Sequence, residues 1–241
     1  MNEIIASLHS RKSVRAYLDQ PIPQEAKQAI LEAACQAPTA GNQQLYTIID
    51  VTDQALKDRL AVTCDNQPFI AAAPLVLIFC ADCRKWLRAY QEAGQSARLP
   101  GAGDLMLAVT DTAIAAQNAV VAAESLGIGS CYIGDILEQR ETHQAMLSLP
   151  PYVVPAVMLV MGYPTAQQQE RPKPARCGMK HIVHENAYRE MDGDELRETF
   201  GPRAGEKGFD AYMAAFCQRK YMSDFAVEMN RSVRAYLKDF E

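Results

Sequence analysis

The sequence predicts an α+β fold in which helices surround a mixed central sheet. Strand-like and helix-like segments alternate along the 241 residues, but hairpin spacing and a regular βαβ rhythm are both lacking, which favours a mixed sheet. Residues 75–80 form a continuous apolar run, which predicts a strand covered on both faces. Residues 104–126 are apolar around most of the helical circumference and predict a long central or interfacial helix that ends before Gly127.

The other elements follow from local signals. Helices are expected at residues 1–9 and 24–36, the second of them behind Pro21 and Pro23. The stretch 37–42 has the composition of a loop. Apolar runs and periodic segments complete the prediction. They give strands at 45–51, 128–133 and 153–161, and helices at 56–62, 209–217 and 223–240.

Composition and charge exclude several classes of protein. A net charge of −5 argues against a nucleic-acid binder that acts by electrostatic attraction. The apolar stretch 105–126 is not expected to span a membrane, because it contains the polar residues Asp111, Gln117, Asn118 and Glu124. Seven cysteines and a start without a signal-peptide pattern predict reduced thiols and a cytoplasmic protein.

Two basic segments are candidates for binding an anion. Residues 11–15 (Arg-Lys-Ser-Val-Arg) place three cations and a hydroxyl within five residues, and phosphate is bound by such charge-assisted donors. Residues 171–176 hold three more cations between prolines, which stiffen the backbone. Taken alone, each segment fits a solvated surface turn better. The sequence Ser-Val-Arg-Ala-Tyr-Leu occurs at 13–18 and again at 232–237, where it continues a helical pattern.

Cysteine and histidine residues leave a different class of function open, a zinc- or thiol-dependent binding module. Its candidate residues are Cys80, Cys83, Cys177, His181 and His184. Their spacing matches no closed structural zinc site, and Cys80 ends a strand, whereas a thioredoxin-like motif opens a helix. No Rossmann, Walker or nucleophile-elbow motif is present.

The remaining motifs are informative because of their order along the chain. They are Arg-Lys-Ser-Val-Arg at 11–15, Ala-Pro-Thr-Ala-Gly-Asn-Gln-Gln at 37–44, Phe-Cys-Ala-Asp at 79–82, Asp-Thr at 111–112, Ala-Gln-Asn at 116–118, Ala-Ala-Glu-Ser-Leu-Gly at 122–127, Tyr-Ile-Gly at 132–134, Met-Gly-Tyr-Pro at 161–164, Lys-Pro-Ala-Arg at 173–176 and His-Glu-Asn at 184–186. In this order they resemble the FMN-dependent nitroreductase family, and most closely its oxygen-insensitive nitroreductase and NADPH–flavin oxidoreductase branch.

The resemblance implies an obligate homodimer with a long apolar interface helix and one FMN in each of two interfacial sites. The residues that match the family's FMN-binding positions are Arg11, Lys12, Ser13, Arg15, Pro38, Thr39, Ala40, Asn42, Gln44, Gln67, Tyr132, Ile133, Gly134, Lys173 and Arg176. By this match, Arg11, Ser13, Lys173 and Arg176 hold the phosphate, Arg15 reaches the pyrimidine edge, and residues 132–134 cover one ring face. The loop 38–42 comes from the partner subunit and lacks the serines of the closest branch, and Ala175 lengthens the usual Lys-Pro-Arg spacing.

The resemblance also implies the reaction. Hydride passes from NADPH or NADH through flavin N5 to a nitroaromatic, a quinone, a flavin or a similar small acceptor, and no side chain is expected to act as a catalytic acid or base. Arg203, Lys207, Arg219 and Lys220 lie in the general region of the chain where the resemblance would place a nicotinamide 2′-phosphate, but none of them matches a family motif, and surface charge is the default explanation for all four. A specialised flavin reaction, dehalogenation or oxidative dehydrogenation, is an alternative. We expect one domain over 1–241, with a lid or excursion at 191–222 and a C-terminal helix at 223–241.

Overall fold

Four strands form an antiparallel sheet. They are β1 (Tyr46–Asp50), β2 (Leu75–Asp82), β3 (Gly129–Ile133) and β4 (Val153–Gly162), in the order β1-β2-β4-β3. All three ladders are antiparallel, and the parallel component of the predicted mixed sheet is an isolated bridge between Ser13 and Ser130. The prediction of an α+β fold with a central sheet is confirmed.

The structure is a computed structural model that describes residues 1–241, and these divide into two units, 1–171 with 228–241 and 172–227. The first unit holds the sheet and most of the helices. Its helices are α1 (Glu3–Ser10), α2 (Gln24–Cys35), α3 (Gln54–Thr63), α4 (Pro68–Ala71), α5 (Arg84–Glu92), α6 (Ala102–Ser125), α7 (Arg140–Met146) and α8 (Ala166–Glu170). The helix α11 (Asp224–Leu237) belongs to this unit from Glu228 onward.

The second unit, residues 172–227, is helical where it is regular. It contains α9 (Gly193–Phe200) and α10 (Phe209–Lys220), joined by two short 3₁₀ turns. Helix α9 begins at a capping box, in which the Asp192 side chain accepts from the N–H of Glu195 and the Glu195 side chain accepts from the N–H of Asp192. The expectations of a single domain and of a lid at 191–222 stay predictions.

Strand β2 is buried on both faces, as its apolar run predicts. Val76, Ile78 and Cys80 pack in one core cluster with Leu60 of α3. Leu75, Leu77 and Phe79 pack in a second cluster with the alanines of α6 and with α2. Because successive side chains of a strand point to opposite faces, this alternation places a helical layer on each side of the sheet.

Helix α6 is the main helix of the second cluster. Its sheet-facing side is small and fully buried, with Ala108, Ala115, Ala116, Ala119 and Ala123 all inaccessible to solvent. By length and composition alone it could cross a membrane, but the core helix of a folded domain passes the same test. Its opposite side carries exposed Met106 (68%) and Leu107 (48%). Helix α1, which has no buried residue, also contacts α6.

Residues 13–18 lie along the edge of the sheet formed by β3. The N–H of Val14 donates to the carbonyl of Ser130 at 2.9 Å, and the N–H of Leu18 donates to the carbonyl of Tyr163 at 2.8 Å. Glycine at two sheet positions permits this close approach, since an added Cβ at Gly129 would lie 2.5 Å from Val14 and one at Gly162 would lie 2.6 Å from Tyr17. The N-terminal segment is thereby fixed beside the strand that precedes Gly134.

Several short helices were not predicted from the sequence. They are α4, α5, α7, α8 and α9. Helix α5 has the charged sequence Arg-Lys-Trp-Leu-Arg-Ala-Tyr-Gln-Glu and is strongly amphipathic. The helical spacing of Trp86, Leu87 and Tyr90 was a signal that the prediction did not use. The predicted loop at 37–42 ends in a 3₁₀ turn at Ala40–Asn42, and the other predicted elements lie within a few residues of their observed bounds.

The substitution Gly129→Ala tests the docking of residues 13–18. The new methyl would overlap the Val14 side chain, whose Cγ2 would lie at 2.5 Å, so we expect the free energy of unfolding to fall by about 1–3 kcal/mol. The measurement is urea denaturation. Gly103→Ala in α6 is the matched control, since nothing lies within 4 Å of its added Cβ and alanine favours a helix. Equal stability of Gly129→Ala and wild type would contradict the close docking.

Candidate active site

The docked N-terminal segment brings cations to the start of β3. The guanidinium atoms Nε and Nη2 of Arg11 are buried and have no hydrogen-bond partner, and neither has the buried hydroxyl of Ser130. Ser13 forms its backbone bridge with that same Ser130. Buried polar groups are almost always satisfied, and a desolvated cation without a partner is costly. This arrangement therefore has the donors that an anion such as a phosphate needs.

The pKa of the Cys131 thiol depends on the same group of cations. Burial raises the pKa of its thiol, while the charges of Arg15 and Arg11 and the side-chain hydrogen bonds from Ser13 and Arg15 act in the opposite direction. The cations of the N-terminal segment thus lie close enough to this β3 side chain to act on its ionisation. The sequence analysis did not identify Ser130 or Cys131, whose only signal was their place before the Tyr-Ile-Gly motif.

Arg171 is a further cation at this cluster that the sequence analysis did not carry into the site. Its Nη2 donates to the carbonyl of Ser13 at 2.6 Å, and its Nε is buried without a partner. Lys12 has a different role from the one expected, because its ammonium group donates to the carbonyls of Gln169 (2.6 Å) and Arg171. Lys12 therefore holds the chain that carries Arg171, whereas Arg11 and Arg171 keep unused donors.

Lys173 and Arg176 lie in the second unit. Arg176 is exposed and its Nη1 donates to the carbonyl of Pro174 at 3.0 Å. Lys173 is half-buried. Their assignment to a phosphate stays a prediction.

The turn after β3 is open beside Gly134. Nothing lies within 4 Å of the position that a Cβ of Gly134 would take. The side chain of Ile133 is 2% exposed and belongs to the core, so this residue can meet a ligand only through its backbone. Tyr132 is half-buried, its hydroxyl donates to Gln117 Oε1 at 3.2 Å, and burial raises the pKa of Tyr132 to about 12. The turn can therefore accept a flat ligand against its backbone.

Arg15 and Gln67 flank this turn. The Arg15 guanidinium lies 5.8 Å from the centroid of the Phe69 ring, within the range of a cation–π contact, and its backbone N–H donates to Gln168 Oε1. The amide nitrogen of Gln67 donates to Asp135 Oδ2 at 3.1 Å and to the carbonyl of Cys64 at 2.8 Å. The arrangement links α4 to the turn after β3.

The loop 38–44 is held by one buried carboxylate. Asp111 of α6 is 2% exposed and accepts from the N–H of Ala40 (2.9 Å) and of Leu45 (3.2 Å). The Thr39 hydroxyl accepts from the N–H of Gln44 at 3.2 Å. Pro38, Asn42 and Gln44 are exposed, while Thr39 and Ala40 are half-buried. Asp111 thus presents the loop on the surface of the first unit.

The zinc- or thiol-dependent alternative is not supported. No group of three or more His, Cys, Asp or Glu side chains is placed to hold a metal ion, and all seven cysteines are free. Cys80 and Cys83 are both buried, and burial raises the pKa of each thiol to about 12. Thiols with such pKa values are not nucleophiles at neutral pH.

Comparison with known proteins agrees with this geometry. The sequence model of the nitroreductase family matches residues 8–163. An FMN reductase that uses NAD(P)H, from Bacillus subtilis, is 30% identical over 238 residues, which cover 98% of this chain and 91% of the relative. An oxygen-insensitive NADPH nitroreductase from Salmonella typhimurium is 35% identical over 192 residues, or 80% of this chain and 77% of the relative.

Solved structures lead to the same conclusion. A nitroreductase from Bacillus subtilis superposes with a TM-score of 0.79 at 28% identity, over 94% of this chain and 98% of the other. Fold and sequence together define an oxidoreductase. The chain belongs to the nitroreductase family, and the resemblance noted in its motifs is confirmed.

Proposed function

We propose that this protein is an FMN-dependent NAD(P)H oxidoreductase that reduces nitroaromatics, quinones, flavins or similar small acceptors by two electrons. The observation that carries the proposal is the buried guanidinium of Arg11, which has two unpartnered nitrogens and lies two residues before Ser13, whose backbone bridges to Ser130 with its own unpartnered hydroxyl. A phosphate monoester would satisfy these donors together with Ser13. The relatives named as FMN reductases support the same cofactor.

The residues fit FMN along its whole length. Arg11 and Ser13 would bind the phosphate, with Arg171 as a further donor. Gly134 would allow the ring to lie on the backbone of the turn after β3. Bound FMN supplies the two-electron redox chemistry through N5 of its ring. Arg15 would stabilise the negative charge of the reduced ring, because a fixed cation beside developing charge needs no reorganisation.

The side chains of the site position groups and exclude water; they do not transfer protons in this proposal. Tyr132 keeps a neutral hydroxyl at physiological pH because burial raises its pKa to about 12. Reductant and acceptor would use the same site in turn, so that one open face serves both. We propose a cytoplasmic location as well, to which the seven free cysteines are suited.

Basic residues of the segment 172–227 are candidates for binding the 2′-phosphate of the nicotinamide nucleotide. Arg203 there donates through Nη2 to Cys177 Sγ at 3.0 Å. Its guanidinium lies 5.6 Å from the Phe200 ring, and that of Arg219 lies 5.1 Å from the Phe216 ring. Lys207 follows in an exposed 3₁₀ turn. Cations of this kind bind the 2′-phosphate of NADPH in dinucleotide sites.

We propose further that the active form is a homodimer in which α1 and α6 form the interface and the loop 38–44 reaches the partner's FMN. Ile4 and Ile5 of α1 are 64% and 44% exposed, and Met106 and Leu107 of α6 are 68% and 48% exposed. Exposed apolar patches of this kind mark interaction sites. The anchoring of the loop by Asp111 of α6 would fix it relative to that interface.

The reaction class is tested by the visible absorption spectrum of protein incubated with FMN and freed of excess ligand. We expect flavin bands that bleach when NADPH or NADH is added without oxygen and return when menadione or nitrofurazone is added. The faster of the two nicotinamide reactions identifies the preferred reductant. A protein that retains no flavin, or whose bands NAD(P)H does not bleach, would reject the proposal.

The substitution Arg11→Ala tests the phosphate site. Loss of charge-assisted hydrogen bonds should weaken FMN binding by about 1.5–3 kcal/mol, measured by quenching of flavin fluorescence. Arg234→Ala is the matched control, since Arg234 is exposed in α11 within the second copy of the Ser-Val-Arg-Ala-Tyr-Leu sequence. Equal losses for both variants would show that the effect is not specific to the cations of residues 11–15.

The double substitution Ile4→Asp with Met106→Asp tests the dimer. Both side chains are more than half exposed, so the charges should leave the subunit folded and disrupt an apolar interface. We expect sedimentation velocity to show a dimer for wild type and a monomer with weak FMN binding for the variant. Val62→Asp, at an equally exposed apolar position of α3, should remain dimeric. A wild-type monomer loaded with flavin would refute the shared site.

A further inference from the structure

A buried carboxyl group lies four residues after Gly134, just beyond the open turn. Glu138 is 4% exposed, and its Oε1 is buried without a hydrogen-bond partner. It follows a 3₁₀ turn at Asp135–Leu137, and its backbone N–H donates to the carbonyl of Asp135 at 3.0 Å. A buried carboxyl group without a donor, close to a second carboxyl group, is more stable when it keeps its proton.

The groups around Glu138 favour retention of this proton. Asp65 after α3, Asp135 in the turn and Glu228 of α11 are all acidic, and together with burial they raise the pKa of Glu138 to about 7. The nearby arginine side chains pair with other carboxylates, and Arg140 Nε is buried without a partner. Arg231 pairs with Glu228 and Glu141, and Arg140 pairs with Asp239 at 2.9 Å.

Two neutral groups complete the surroundings. Burial lowers the pKa of His143, whose ring nitrogens contact the carbonyl of Ile136 and the hydroxyl of Thr63. Burial and the charges of Asp135 and Glu138 raise the pKa of Cys64. Neither group supplies a positive charge at neutral pH that would favour ionisation of Glu138.

The pair is connected to the site through Gln67. Asp135 Oδ2 accepts from the Gln67 amide nitrogen, which also donates to the Cys64 carbonyl. Two acceptors therefore fix the orientation of the amide, and its Oε1 is left to accept a hydrogen bond from a ligand. Ionisation of Glu138 would place a second negative charge against Asp135 and disturb this contact.

We propose that Glu138 is a positioning residue, whose protonated carboxyl holds Asp135 in the orientation that fixes the Gln67 amide and presents Gln67 Oε1 to an N–H of the flavin ring. The proposal rests on the FMN function proposed above and adds to it a control by pH. With Glu138 protonated, Asp135 accepts from both neighbours. With Glu138 ionised, the site gains charge and the amide is held less firmly.

The first test needs no cofactor. Because the pKa of Glu138 is raised in the folded protein, its stabilising protonation is complete below the unfolded pKa and is lost as pH rises through about 7. Between about pH 5 and about pH 8 the unfolding equilibrium constant of the apoprotein should rise by about seventyfold more for wild type than for Glu138→Gln, as linkage predicts for a pKa raised from 4.5 to about 7. Glu141→Gln is the control, since Arg231 lowers the pKa of Glu141 and keeps it charged throughout; it should follow wild type. Parallel curves for wild type and Glu138→Gln would overturn the proposal.

The second test is the FMN dissociation constant at about pH 6 and about pH 8.5. The dissociation constant of wild type divided by that of Glu138→Gln should change from about one at the lower pH to about five at the higher pH, as loss of a hydrogen bond predicts. The phosphate of FMN titrates alike in both proteins, so the ratio removes its contribution. In a Gln67→Ala background the ratio should stay near one at both pH values. If the ratio is the same at both pH values when Gln67 is present, the positioning role of Glu138 is overturned and the proposed function is not. If wild type binds no FMN at either pH, the proposed function is rejected and this inference with it.

Discussion

The pairing of residues 13–18 with β3 and β4 is the contact on which the site depends. It brings Arg11, Ser13 and Arg15 to the start of the strand that ends at Gly134. The same pairing fixes Arg171, because its guanidinium donates to the carbonyl of Ser13. The backbone can come this close only where the sheet has no Cβ, at Gly129 and Gly162. Two glycines far apart in sequence are therefore a condition for a site made of arginines.

The site has opposite charges at its two ends. Arg11 and Arg171 lie at the end formed by the N-terminal segment, and Asp135 and Glu138 lie in and after the turn at the other end of β3. A net charge of −5 hides this separation, because it is a property of the whole chain. A ligand with an anionic group at one end and a neutral, hydrogen-bonding ring at the other matches the distribution. The fold separates the charges by one five-residue strand.

The sequence was sufficient where a residue's role depends on its neighbours in the chain. The apolar run at 75–80 predicted a strand buried on both faces, and residues 11–15 predicted the cations of the site. It was insufficient where burial by distant elements decides the role. Lys12 and Arg171 have the same charge, yet one is satisfied by carbonyls and the other keeps a free donor. Glu138 resembles any surface glutamate until α3 and α11 are packed around it.

The unpartnered nitrogens of Arg11 also affect how fast the protein is degraded in a cell. A buried cation without an anion weakens the folded state, and a ligand that binds only the folded state adds stability in proportion to the logarithm of its concentration. Newly made subunits without cofactor would therefore spend more time unfolded and be degraded faster than loaded ones. Flavin supply would then set the abundance of the protein through turnover, without any change in its synthesis.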